Sequence, residues 1–428
     1  METPTLAVWL DRIGIEHPRG VERGLDRVRI VADRLGVVPP AAKTIVVAGT
    51  NGKGSTTAFA EHLLLAAGYR VGTTTSPHLH RFNERIRING REVDDQTIVD
   101  AFESVESHRG GIDLSYFEYA TLAALSVMSR TSLDYAVLEV GLGGRLDAVN
   151  IVDADVAVVT SIGIDHQEHL GGTRETIGRE KAGVMRPNVP VVCGDPSPPA
   201  SIIGRARDLG APLLVATRDF GQRDGQLWVR SSDGQRRTFE LEPSSVDPVN
   251  AATAAMAVSQ AGCALSQATV GRCVRTVRNP GRLEIVQHDG RTWTLDVAHN
   301  PHAAAFLVDR LRAVFGDRTI RAAVGCLEDK DVAGIVAALR PQVTEFAYAD
   351  TASPRGRSGL ALRAAADDPQ AFAGTLEGAL AHLLAQCESD EDVLLAMGSF
   401  DVVERVRARL GHPGDAPRRL GRGVESQS

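Results

Sequence analysis

The sequence predicts an α/β protein: a doubly wound N-terminal domain built around a P-loop-type turn, followed by a smaller Rossmann-like α/β domain. Three observations predict it. Short β-branched runs alternate with helix-periodic stretches along most of the chain. A glycine-rich segment, Gly49 to Ser55, stands between one such strand and one such helix. The breaker cluster Asn279-Pro280-Gly281 interrupts the alternation, which then begins again.

The elements follow in order. TIVVA (44–48) reads as a strand, and the periodic stretch 55–67 as the helix after the glycine-rich turn. VGTTT (71–75) is a short strand-like run. YAVLEV (135–140), DVAVVTS (155–161) and VPVVC (189–193) are apolar, β-branched and bounded by turn residues, as buried parallel strands are. Helical patterns lie at 94–108, 116–129, 173–185 and 198–209. Within 213–242, LWVR and RRTFELE flank Ser-Ser-Asp-Gly, which predicts a small antiparallel excursion at the edge of the first sheet. Helices are expected at 248–261 and 266–277. After the breaker, strands are expected at 292–298, 319–325, 344–350 and 392–397, and helices at 302–315, 331–340, 371–386 and 399–410. The division is therefore 1–280 and 281–411, with a disordered tail at 412–428 rich in Pro, Gly, Ser and Arg.

Composition narrows the function. A chain of 428 residues, 43% hydrophobic and 24% charged, can bury more than one core without a disulfide or metal staple. The net charge of −7 argues against a general nucleic-acid footprint. No apolar run approaches the ~20 residues of a membrane span. The opening METPTLAVWLDRIGIEHPRG carries Asp11 and Glu16 inside any would-be apolar core, so it does not read as a secretory signal. Five cysteines, with no C-x-x-C pair, fit reduced thiols in the cytosol.

The strongest local signal is Gly49-Thr50-Asn51-Gly52-Lys53-Gly54-Ser55. Glycines let backbone N–H groups approach phosphate oxygens, the helix N-terminus favours negative charge, and Lys53 would reach the β and γ phosphates. The strict Walker pattern is not met, because Val47 stands where its first Gly belongs and Gly54 follows the Lys. The plainer reading is a glycine-rich turn with an exposed Lys. Ser76 and His78, in TSPHL (75–79), sit where a strand meets a loop. Glu139 ends an apolar strand beside Gly141-Leu142-Gly143-Gly144, a plausible position for a Mg²⁺ ligand; Asp165-His166 follows the next strand. Magnesium takes few protein ligands besides water and phosphate, so Ser76, Glu139 and His166 would suffice. By composition Lys181 is a surface ion-pair residue. In the second domain Asp296, His299 and Asn300 crowd a strand terminus; Asn300 could simply cap the helix opening at Pro301. Arg282 lies at the domain junction, either reaching phosphate or standing in solvent. Gly398-Ser399 repeats the idea more weakly.

Taken together, AGTNGKGS (48–55), TSPHLHRFNERIRING (75–90), YFEYATLAAL (116–125), LEVGLGGRLDAVNIVDADVAVVTSIGIDH (138–166), GREKAGV (178–184), NAATA (250–254), PGR (280–282), LDVAHNPHAA (295–304) and PRG (354–356) resemble the folylpolyglutamate synthase/dihydrofolate synthase family of the Mur ligase superfamily. They occur in family order across nearly the whole chain, and the resemblance makes the first domain Mur ligase-like. It implies an ATP- and Mg²⁺-dependent ligase that joins L-glutamate to dihydropteroate, and to the glutamate tail of a reduced folate such as tetrahydrofolate, through an acyl phosphate. It implies that Gly49 to Ser55 hold the ATP phosphates. Ser76 and Glu139 would bind one metal and His166 a second, and Lys181 matches a lysine that the family carbamylates. Asn250, Arg282 and Asp296 match nucleotide contacts, with His299 and Asn300 beside them. Lys53, Lys181 and His299 would carry the chemistry. Ser115, Phe117, Asp147 and Ala148 fall at the pterin pocket. Ser115 stands where the family pattern has Thr, and Asp401 where relatives often carry His. A cytoplasmic monomer acting on small molecules, with no nucleic acid and no membrane, is expected. The rival readings are another Mur-superfamily amino-acid ligase and a non-catalytic nucleotide-binding module.

Overall fold

The computed structural model describes residues 4–16, 24–230, 234–241 and 247–411. The tail expected at 412–428 and part of the Ser-Ser-Asp-Gly turn lie outside the described residues.

The first sheet has eight strands: β1 (Lys43–Ala48), β2 (Val71–Thr74), β3 (Ile86–Ile88), β4 (Arg91–Glu92), β5 (Tyr135–Glu139), β6 (Val156–Val159), β7 (Val191–Cys193) and β8 (Leu213–Val215). Their order is β4-β3-β2-β5-β1-β6-β7-β8. Pairing is parallel except at β2–β3 and β3–β4. Alternation along each strand feeds two cores. Val46, Leu138 and Val159 face helices Asp95–Arg109 and Tyr116–Ser129, while Ile45, Val137 and Val158 face helices Lys53–Ala66 and Pro248–Gln260. Both faces being covered is why these strands read as continuous apolar runs.

Of the segment 213–242, Leu213–Val215 is β8, the edge strand of that sheet, and the antiparallel excursion follows directly from it. β9 (Phe220–Arg223), β10 (Gln226–Arg230) and β11 (Arg236–Glu240) form a separate antiparallel sheet, and Phe220, Leu227 and Val229 join the core of the Ala-rich helix Pro248–Gln260. Beyond residue 281 lie β12 (Glu284–His288), β13 (Arg291–Asp296), β14 (Ile320–Val324), β15 (Glu345–Ala349), β16 (Phe372–Gly374) and β17 (Val393–Met397), in the order β12-β13-β17-β14-β15-β16. The helix expected over 371–386 is corrected: its first residues form β16, and the helix starts at Leu376 behind a Thr375 cap. Helix 173–185 likewise ends at Lys181 and tightens into a 3₁₀ turn, Ala182–Val184. Among the described residues, no helix is long and apolar enough to cross a membrane.

Candidate active site

Parallel α/β sheets bind ligands beyond the carboxyl ends of their strands, where the order reverses. Here β1, β5 and β6 are adjacent; Glu139 ends β5, and the loops after β1 and β6 supply Gly49 and Asp165. Helix Lys53–Ala66 opens at Gly52 (φ 85°) with no side-chain cap, so its first N–H groups are free to meet an anion. The loop is stitched down from below. Thr50 N donates to Ser161 O at 2.7 Å, and Thr160 Oγ1 donates to Asn51 O at 2.7 Å. A Cβ at Gly49 (φ 152°) would lie 1.7 Å from Thr160 Oγ1, and one at Gly52 would lie 2.3 Å from Asn250 Oδ1. The glycines are therefore required by close approach as well as by conformation.

A cavity of ≈ 420 Å³ lies above this loop and is lined by residues of both domains. Gly49 to Gly54, Ser76, Glu139, His166, Lys181, Arg282 and His299 all reach it, which gathers most of the expected site. Lys53 Nζ rests on Gly49 O and Thr50 O at 3.2 Å each. Burial lowers its pKa and raises that of Glu139, and each charge offsets part of the other's penalty. Ser76 N donates to Glu139 Oε2 at 3.1 Å, while the buried Ser76 Oγ has no partner among the described residues. Among the described residues no group of three or more His, Cys, Asp or Glu side chains is placed to hold a metal. A hydroxyl, one carboxylate and phosphate oxygens suit a hard cation accompanied by a nucleotide better than a closed protein cage. His166 sits at φ 50° beside Lys53, and burial lowers its pKa to about 4, which leaves a neutral imidazole able to ligate.

The surface ion-pair reading of Lys181 is overturned. Only 2% of the residue is exposed, and its Nζ donates to Gly49 O at 2.8 Å. Burial, with Lys53 nearby, lowers its pKa to about 7. Arg282 is no solvent hinge either. It lines both cavities, faces the Phe400 ring at 5.7 Å, and has its pKa lowered by burial.

A second cavity of ≈ 890 Å³ continues from the loop and holds Ser55, Asn250, Arg282 and Asp296. Val249 and Phe306, each about two-fifths exposed, give it apolar walls. Asp296 accepts from Leu283 N at 2.7 Å and Ala298 N at 2.8 Å, fixing the turn that carries Arg282. Asn300 does cap its helix, through Ala303 N at 2.8 Å, but its amide also reaches Asn51 and Asp165.

The expected pterin residues line neither cavity. Ser115 and Glu118 form a capping box for helix Tyr116–Ser129. Asp147 accepts from Leu142 N at 2.9 Å and Val149 N at 3.0 Å, and burial raises its pKa to about 6. Ala148 is core. Phe117 lies against Gly141, where a Cβ would come within 2.5 Å of its ring, so it braces the cavity wall from behind. Sequence reading gave no role to Lys330 and Arg355, which also line the first cavity, or to Asn279, which donates to Ser55 Oγ at 2.7 Å. Lys330 and Arg355 lie in the loops after β14 and β15, Arg355 within the PRG segment, and Asn279 stands in the breaker cluster after helix Gln267–Thr276.

Comparison with known proteins shows the family. Residues 47–189 match the Mur ligase middle domain, and residues 281–400 the Mur ligase glutamate ligase domain. The dihydrofolate synthase/folylpolyglutamate synthase of Escherichia coli K12 is 42% identical over 412 residues, 94% of each chain. The chain belongs to the dihydrofolate synthase/folylpolyglutamate synthase family. The family member from Haemophilus influenzae Rd is 36% identical over 94% of this chain and 96% of its own. Among solved structures, E. coli FolC in complex with DHPP and ADP superposes with a TM-score of 0.89 at 40% identity, over 95% of this chain and 98% of that one. The Yersinia pestis bifunctional enzyme with AMPPNP and Mn ion gives 0.88 at 42% identity, over 96% and 98%. A bifunctional family structure holding Mn, AMPPNP and L-glutamate gives 0.87 at 41%, over 96% and 100%. Nucleotide and a divalent metal are thus bound by members of this family.

Proposed function

We propose that the chain joins L-glutamate to dihydropteroate and to the glutamate tail of a reduced folate, driven by Mg²⁺-ATP, in the cytoplasm and as a monomer. The observation that carries the reading is the convergence of Lys53, Glu139, Lys181 and Arg282 on one cavity between the two domains. No serine, cysteine or histidine arrangement for nucleophilic catalysis is needed. A substrate carboxylate oxygen attacks the γ-phosphorus of ATP, ADP leaves, and an acyl phosphate forms. The amine of L-glutamate then attacks the acyl carbon, its proton is lost, and phosphate departs with the carboxylate oxygen.

The chain's residues serve this by alignment and charge. The open helix N-terminus and the Gly49–Ser55 loop cradle phosphate oxygens. Lys53 and Arg282, both desolvated, face charge developing on the transferring group from two sides. Asn250 and Asp296 line the nucleotide cavity, Asn300 holds Asn51 of the phosphate loop, and His299 stands where the second domain meets the first. Mg²⁺ held by Ser76 and Glu139, with a second ion at His166, would neutralise phosphate charge. The neutral amine of Lys181 can add CO₂: an N–C bond forms, a proton leaves, and the neutral side chain becomes a carbamate anion. Phe117, packed against Gly141, and Asp147, which ties the 141–147 loop through Leu142 N, hold the wall on which a flat heteroaromatic ring would rest. Phosphate release that requires L-glutamate and either dihydropteroate or tetrahydrofolate tests the reading. Release with neither would overturn it.

A further inference from the structure

Asp165, on the loop after β6, receives side chains of the second domain. Asn300 Nδ2 donates to its Oδ2 at 2.9 Å, Lys330 Nζ donates to its Oδ1 at 2.9 Å, and His299 Nε2 lies 3.5 Å from Oδ2. Asn300 carries the contact onward into the phosphate loop. Its Nδ2 donates to Asn51 Oδ1 at 3.1 Å, and Asn51 Nδ2 donates back to Asn300 Oδ1 at 3.2 Å, with His302 Nδ1 2.9 Å away. The cluster is dry: the side chains of Lys330 and Asp165 are 6% and 9% exposed. Another ion pair across the domains, His80–Glu404, is about a third exposed on both sides, where such pairs hold little.

We propose that Asp165 is the positioning residue that fastens the second domain onto the phosphate loop, and that this fastening ties ATP cleavage to amide formation. Asn51 is two residues from Lys53, while His299 and Lys330 line the reaction cavity. One carboxylate therefore sets the loop and the far wall in a single arrangement. Without it the domains part more readily, and water reaches the acyl phosphate. The water oxygen then attacks the acyl carbon, the bond from that carbon to the phosphate oxygen breaks, a proton is released and the carboxylate is regenerated. The net reaction is ATP hydrolysis without ligation.

The inference rests on the ligase reading above, and the two fail differently. Wild-type phosphate release that is independent of L-glutamate sinks the ligase reading. Coupling retained by the variant sinks this inference alone. The test is Asp165→Asn, which keeps the shape but not the charge that holds Lys330. Phosphate released per amide formed should rise from one to several, and the KM for L-glutamate should rise about tenfold or more, as when one member of a buried charged pair is lost. The Mg²⁺ requirement should stay as in wild type. One phosphate per amide with an unchanged KM overturns the proposal. So does a raised Mg²⁺ requirement with coupling intact, because Asp165 would then act through His166. Should Asp165→Asn fail to fold, the same ratio is read on Lys330→Met, and tight coupling there overturns the proposal equally.

Discussion

Lys53 and Lys181 are two lysines buried within reach of the same carbonyl, Gly49 O. Desolvation lowers the pKa of both; Glu139 leads the groups that oppose the shift at Lys53, and Asp165, Asp147 and Glu180 oppose it at Lys181. Lys53 lines the reaction cavity at the start of the phosphate-loop helix, so Lys53→Ala should lower saturated turnover about 10²–10³-fold, the scale of losing one preorganised charge stabiliser. Near-normal turnover of a folded variant would contradict this. Lys181 has a pKa lowered to about 7, against 10.5 for an ordinary lysine. Between those values the folded chain binds fewer protons than the unfolded one, so this group's contribution to stability rises with pH and is lost as pH falls through about 7. In bicarbonate-free buffer, Lys181→Met should flatten the rise of stability with pH across that window, measured as Tm against pH. With ¹³C-bicarbonate, a carbamate carbon signal should grow as pH rises through about 7 and be absent from the variant.

Lys181 also shows why letters mislead at this scale. The run GREKAG looks like a charged helix end, and nothing local marks it as buried. Burial comes from a distant loop. A Cβ at Gly144 would lie 2.9 Å from Glu180 O, and one at Gly183 would lie 2.3 Å from Arg145 Cα. The GLGGR and EKAG segments are the two sides of one close backbone contact, closed by Arg145 N donating to Glu180 O at 2.8 Å. Each was legible as a motif, but their meeting was not.

At the scale of elements, strands buried on both faces were the most legible, because a run such as YAVLEV has no other way to bury itself. Short or half-exposed strands were not: β3, β4, β12 and β16 carry too few residues or too mixed a pattern. Helix Leu6–Glu16 went unpredicted for the same reason that its stretch did not read as a signal, namely charges among its apolar residues. Caps decide the helix that carries Phe117. Ser115 Oγ accepts from Glu118 N, and Glu118 Oε2 accepts from Ser115 N at 2.7 Å. Ser115→Ala should therefore cost about 1 kcal/mol, a Tm drop of about 2–4 °C, while Ser115→Thr should not. A raised KM for dihydropteroate without loss of stability would instead restore the pterin role. The loop bearing Ser76 is anchored by a buried pair: Arg87 on β3 donates to Glu61 at 2.7 Å, and to Glu84 O at 3.2 Å. Burial alone would raise the Glu61 carboxyl, but Arg87 pulls it below the ordinary value. Arg87→Met strands that charge and should destabilise by about 3–5 kcal/mol by denaturant titration. Glu61→Gln in the same chain should recover part of it.

For the whole molecule, the breaker at 279–281 separates the sheets: the eight-stranded and three-stranded sheets precede it and the six-stranded sheet follows it. What the breaker cannot announce is how they face each other. The reaction cavity takes walls from residue 49 and from residue 401, and the pairing of Asp165 with Lys330 spans 165 positions. No local pattern carries a separation of that length; only the closed fold does. The cavity so formed is suited to holding an activated carboxyl away from water until an amine arrives.

That claim has a direct measurement. Dihydropteroate labelled with ¹⁸O in its carboxylate is turned over with Mg²⁺-ATP and L-glutamate, and the released phosphate is weighed by mass spectrometry. Transfer of one labelled oxygen to each phosphate is the result predicted for an acyl phosphate made and consumed in this cavity. Unlabelled phosphate alongside amide product would contradict it.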